Sequence, residues 1–140
     1  MTQPAAALRA WVITIPWDAG LTTKNQKMSP MKRYRLTQLA QTTAYGAWCA
    51  AGRPRASGKV RLSITVRRAR ALDEANVMSG LDGLIDGIFS AHRVRGYSVE
   101  RGCMTVDDSP QYLELGEVRQ EIEPKWKANE QVIFTITEVE

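Results

Sequence analysis

The chain has 140 residues, 44% hydrophobic and 24% charged, the balance expected of one globular domain (residues 1–140) long enough to bury a core. No apolar run approaches the ~20 residues a membrane span needs, and the opening MTQPAAALRAWVITIPW lacks the apolar segment of a signal peptide, so a cytoplasmic protein with no membrane partner is expected. The net charge of +4 is concentrated in the first half, while two distant cysteines (Cys49, Cys103) and a single histidine (His92) argue against a zinc site or a disulfide framework.

Trp11 to Ile15 reads as a strand with Trp11, Ile13 and Ile15 on one face, ended by Pro16. Residues 17–28 read as a loop. Ser29-Pro30 has the form of a helix N-cap followed by proline at the first helical position. The helix behind it is predicted to run to about Ala51, with Leu36, Leu39, Ala40, Ala44, Ala47, Trp48 and Ala51 at helical spacing and Gly52 as its stop. Lys32, Arg33 and Arg35 crowd its first turns, where cations oppose the helix dipole by a few tenths of a kcal/mol each. An anion met at that end would explain them, as would a helix that starts later, near Tyr34.

After a basic loop, Val60, Leu62, Ile64 and Val66 alternate with Arg61, Ser63, Thr65 and Arg67. That is a half-buried strand with a polar, basic second face. A second helix is expected from Val77 to Phe89, with Val77, Leu81, Leu84, Ile85 and Ile88 as its apolar stripe. Gly80, Gly83 and Gly87 lie on a neighbouring face, where they permit close approach by a strand or a second subunit, at roughly 1 kcal/mol each against alanine. Residues 90–105 read as a loop, and Leu115–Ile122 and Val132–Val139 as two strands. The order strand, helix, strand, helix, strand, strand predicts an α+β domain with one mixed sheet and helices packed against it. Its expected core includes Leu36, Leu39, Trp48, Leu62, Ile64, Leu81, Ile85, Phe134 and Ile136.

Two acidic clusters stand at element boundaries in this basic chain: Asp73-Glu74-Ala75-Asn76 and Asp107-Asp108. Read singly, Asp73 is a helix N-cap and Asp107-Asp108 a turn. Read together, carboxylates at element ends on a basic protein suggest a divalent-metal site facing a phosphate polyanion. Asp82 and Asp86 cannot join Asp73 on one ion: along a helix they lie about 13 and 20 Å away, on other parts of the cylinder. The basic half nominates Lys24, Lys27, Lys32, Arg33, Arg61 and Arg67 as contacts to a nucleic-acid backbone.

These residues resemble the RusA-type Holliday-junction resolvases, small metal-dependent endonucleases that are often phage-encoded. Ile13-Thr14-Ile15-Pro16-Trp17 is similar to the family's first strand. Asp73-Glu74-Ala75-Asn76 stands where the family has Asp-x-Asp-Asn, and Asp82-Gly83-Leu84 or Asp86-Gly87-Ile88 stands at its Asp-Gly-Leu helix position. Asp107-Asp108-Ser109-Pro110-Gln111-Tyr112 and the C-terminal strand complete the order over nearly the whole chain.

The resemblance implies a RusA-like fold and a hydrolase that resolves four-way junctions in DNA recombination and repair, acting as a homodimer on branched DNA. It also implies Mg2+ (or Mn2+) held by Asp73 and Asp108 with Asp107 and Glu74, and Asn76 orienting a ligand or phosphate. Two departures mark this chain. Ala75 replaces an aspartate (or Ala71 does, if Asp73 matches the second one), and no lysine occurs between Arg70 and Arg93. A junction-binding protein of the same fold with weakened cleavage is the alternative those departures imply.

Overall fold

Strict alternation over residues 60–67 builds the strand around which the protein folds. In the computed structural model, which describes residues 8–17, 29–89, 104–105 and 109–139, this strand (β2) lies inside a four-stranded sheet. The elements in chain order are β1 (Ala10–Pro16), α1 (Pro30–Ala50), β2 (Val60–Arg68), α2 (Glu74–Phe89), β3 (Leu113–Ile122), a 3-10 turn at Pro124–Ala128, and β4 (Gln131–Glu138). The sheet order is β1-β4-β2-β3. β4 pairs antiparallel with both β1 and β2, whereas β2 and β3 run parallel. A parallel pair needs a long crossover, and α2 lies within it. The fold is therefore α+β with a mixed sheet, as expected from the order of elements.

Cross-strand register sorts the side chains into two faces. Ile13, Phe134, Ile64 and Val118 form one row, and Ile15, Val132, Val66 and Gln120 another. Apart from the β3 members, these side chains are buried, and with those of α1 and α2 they make one hydrophobic core. The opposite face carries Thr135 beside Ser63, and Ile133, Thr65 and Arg119 in a row. β3 is longer than the sequence suggests and is interrupted: Leu62 pairs with Leu115 but Ile64 with Val118, so Gly116 and Glu117 together oppose Ser63 in a bulge.

The α1 stripe needs correction. Ala40, Ala44 and Trp48 are buried, as is Gln41, but Leu39 is 44% exposed, Leu36 is half-buried, and so is Ile85 of α2. The reason is the closeness of the two helices. A Cβ built on Gly83 would lie 2.9 Å from the Ala40 Cβ, and one on Gly87 would overlap the Gln41 carbonyl oxygen. Small residues therefore form the helix–helix seam, and Leu39, about 100° round the cylinder from Ala40, is turned outward. Gly80 faces the ring of Trp17, 2.7 Å from where its Cβ would be. The three glycines are thus used within the chain, which removes the argument that their face awaits a second subunit.

Capping follows the sequence. The Ser29 Oγ accepts the Lys32 N–H at 3.2 Å, so α1 begins at Pro30 and the cationic first turns are real. At the far end Gly52 takes φ +93°, and the N–H groups of Gly52 and Arg53 donate to Cys49 and Trp48 carbonyls at 3.0 Å. Among the described residues no helix is long and apolar enough to cross a membrane.

Candidate functional site

The junction between β2 and α2 is where the first acidic cluster lies. β3 holds this junction through Gln120, which occupies a core-facing position opposite Val66. Its side-chain oxygen accepts the Leu72 N–H at 3.0 Å and its amide nitrogen donates to the Leu72 carbonyl at 2.7 Å. One side chain thereby satisfies both backbone polar groups of Leu72, as a half-buried segment outside the ladder requires. The next residue, Asp73, is exposed, and its carbonyl accepts the Val77 N–H at 3.0 Å in the first turn of α2. Asp73 thus stands at the N-terminal end of α2, where a carboxylate is favoured by the helix dipole. That placement serves an N-cap and a metal ligand equally.

One turn along α2 from Asp73 is a cavity of about 360 Å³, with Val77, Met78, Val118 and Gln120 among its lining residues. It opens between the first turns of α2 and the middle of β3. Asp73 itself follows the carboxyl end of β2, the strand that β3 joins in parallel.

Asp107 and Asp108 lie outside the described residues, as do the side chains of Glu74 and Asn76. The described flanks of the aspartate pair are anchored at one place. Met104 N–H donates to the Ile88 carbonyl at 3.1 Å, and the Met104 carbonyl accepts the Ala56 N–H at 2.9 Å. The Ser109 carbonyl accepts the N–H groups of Tyr112 and Leu113 at 2.9 Å, and the Tyr112 carbonyl accepts the Val60 N–H at 3.0 Å. Both flanks therefore sit where α2 ends and β2 and β3 begin, while Asp73 sits at the other end of α2, a helix about 24 Å long. Among the described residues, no group of three or more His, Cys, Asp or Glu side chains is placed to hold a metal ion.

The expected nucleic-acid contacts divide in a similar way. Lys24 and Lys27 lie outside the described residues, as does the Arg33 side chain. Lys32 is exposed at the start of α1. Arg61 and Arg67 lie on the outer face of β2, but β3 brings a row of glutamates against them. Arg61 pairs with Glu114 at 2.8 Å and Arg67 with Glu121 at 2.9 Å. Arg119 reaches Glu121 at 3.5 Å and donates to the Thr65 hydroxyl at 3.2 Å. Arg67 also lies over the Trp126 ring, 4.7 Å from its centroid. The face read as basic from β2 alone is thus compensated by its neighbour, and a phosphate approaching it would compete with carboxylates. Such half-exposed pairs contribute about 0–1 kcal/mol each, so they are displaceable.

Sequence reading missed two residues at this end of the sheet. One is Gln120, the clamp on Leu72. The other is Arg68, the last residue of β2, whose guanidinium lies over the Trp17 ring and within 3.2 Å of the Glu130 carboxylate. No protein-family model and no curated protein matches the chain.

Proposed function

We propose that the protein is a metal-dependent, structure-specific DNA endonuclease that cuts four-way junctions, with Asp73 as a primary ligand for magnesium. The observation that carries this reading is an exposed carboxylate at the start of α2, held through Leu72 by the Gln120 clamp, with a cavity lined by that same Gln120 and by Val77 one turn along the helix. The order of motifs shared with the RusA-type resolvases supports it. Oxygen donors alone suit magnesium or manganese. A bound magnesium ion would neutralise charge on a phosphodiester and lower the pKa of an attacking water. The protein's part is to hold Asp73, with Asp108 and Asp107 or Glu74, around that position, and to grip the DNA backbone through cations. A homodimer would set two such sites against the two equivalent phosphates of a junction.

One observation favours the second reading, a junction-binding protein without efficient cleavage. Asp73 and the flanks of Asp107-Asp108 are anchored at opposite ends of α2. The nuclease reading requires the pair to reach back along that helix, or a different carboxylate to complete the site.

The test is a labelled four-way junction incubated with the protein in magnesium or manganese. Cleavage that Asp73→Asn and Asp108→Asn each abolish, with binding retained, is the expected result. Loss of cleavage in Asp73→Asn but not in Asp108→Asn would move the second ligand elsewhere. Wild-type protein that binds junctions and never cuts them would replace the nuclease reading with the binding one.

A further inference from the structure

The carboxyl end of β2 holds a second cavity, of about 260 Å³, lined by Arg68, Ala69, Arg70, Lys127 and Glu130. Three of its side chains are cationic and one is anionic, a surplus of two positive charges. Arg68 is the unusual member. The Arg68 side chain is only 15% exposed, yet its Nε and Nη1 have no hydrogen-bond partner among the described residues. A buried guanidinium ordinarily places its N–H donors on a carboxylate in a two-point fork. Here Glu130 Oε2 is 3.2 Å from the Nε but off the N–H direction, and the same oxygen accepts the Ala69 N–H at 3.2 Å. Trp17 covers one side of the guanidinium, 5.7 Å from its ring centroid. Desolvated donors left unused are costly, so their retention calls for an acceptor.

We propose that this cavity is a phosphate site. Arg68 lines the cavity with a guanidinium that is not fully engaged, and Arg70 and Lys127, both exposed, supply the charge that draws the anion in. The Glu130 carboxylate fixes the Ala69 backbone and limits the surplus charge, which suits a phosphodiester or a single phosphate over a more highly charged group. Arg70 precedes Asp73 by three residues in the chain. A strand held here by one phosphate would present its neighbours to the β2–α2 junction; that extension rests on the nuclease reading, whereas the anion chemistry does not.

The experiment follows the Arg Nε–H resonances of the full chain by NMR. Inorganic phosphate and a short single-stranded oligonucleotide are titrated in separately, each at ionic strength matched with sodium chloride. A saturable shift of the Arg68 resonance is expected. Arg70→Gln combined with Lys127→Gln should weaken that binding by about tenfold or more, since two charge-assisted contacts are lost. Lys125→Gln, outside the cavity, should leave it unchanged. Saturation by phosphate alone identifies a small-anion site, and tighter saturation by the oligonucleotide identifies a strand phosphate; either supports the proposal. No saturable shift with either probe, or equal affinity in the double variant, overturns it. Junction cleavage measured in parallel separates the two readings. Phosphate binding without Asp73-dependent cleavage sinks only the nuclease, and cleavage without phosphate binding sinks only this site.

Discussion

Gly87→Ala should destabilise the protein even though alanine is the better helix former. The added methyl would overlap the Gln41 carbonyl oxygen and lie 2.9 Å from the Ala44 Cβ and 3.0 Å from the Gln41 Cα. Two of those atoms are backbone, so no change of rotamer relieves the contact and α1 must move away from α2. Overpacking of this kind costs about 1–3 kcal/mol. Alanine's helix propensity returns about 1 kcal/mol. Moving the helices apart also loosens the Gly83–Ala40 contact one turn back, so the expected net loss is about 1–2 kcal/mol. Gly46 provides the control. It is exposed on α1 with nothing within 4 Å of a built Cβ, so Gly46→Ala carries the helix term alone and should stabilise by ~0.5–1 kcal/mol. Urea unfolding followed by circular dichroism measures both, with an unchanged m-value as the condition for comparing midpoints. If Gly87→Ala proves as stable as the parent while Gly46→Ala stabilises, the helices are not packed this closely.

Three further outcomes are expected. Ser29→Ala should cost about 1 kcal/mol in the same urea assay, because it removes the acceptor for the Lys32 N–H; no loss would mean that α1 does not depend on this cap. The Arg9 side chain, the Arg9 N–H and the Ser57 hydroxyl hold the Glu138 carboxyl at about 2, below its ordinary 4.5. A depressed carboxyl stabilises the fold above its unfolded value, and that contribution fades as pH falls from about 4.5 through about 2. Glu138→Gln should flatten the stability profile across that window, and an NMR titration placing Glu138 near its ordinary value would refute the assignment. Replacing Lys32 and Arg33 with alanine should weaken junction binding and reduce the salt slope by about 0.9 per lost phosphate contact; an unchanged slope would take the start of α1 out of the interface.

The parts of the fold legible in the sequence are those whose signal is local. β2 is readable because its alternation runs without a break from residue 60 to 67, and α1 because Ser29-Pro30 is a complete start signal. The sequence reading of β3 begins two residues late because the bulge at Gly116-Glu117 breaks its period, leaving Leu113 and Val118 as the residues that pack against the core while Leu115 is exposed. Leu39 was misplaced for a different reason. Hydrophobicity favours leucine inward, but the approach of α2 through Gly83 and Gly87 leaves room for alanine, and that approach is not encoded within α1. The glycines are visible in the sequence but their partner is not, since nothing local connects residue 87 to residue 41. The compensation of Arg61 and Arg67 by Glu114 and Glu121 likewise depends on which strand lies beside β2.

The polar residues at the carboxyl end of the sheet could have been found by a stricter use of the same alternation. The core face of β2 carries Val60, Leu62, Ile64 and Val66, and the next position in that period is Arg68. A cation where the period calls for a hydrophobe either bears a cost or has a use. In β3 the same face runs through Val118 to Gln120, which again is polar where an apolar residue is due. Gln120 has a use that the structure displays, since it satisfies the backbone of the residue before Asp73. Arg68 is satisfied only in part, by one off-axis carboxylate. Departures from pattern that fall within two register positions of each other toward the carboxyl ends of two parallel strands are therefore the residues to mutate first, ahead of the exposed lysines. An exposed lysine is solvated at its position without any ligand, whereas Arg68 gives up most of its solvation and recovers only the Glu130 carboxylate and the Trp17 ring.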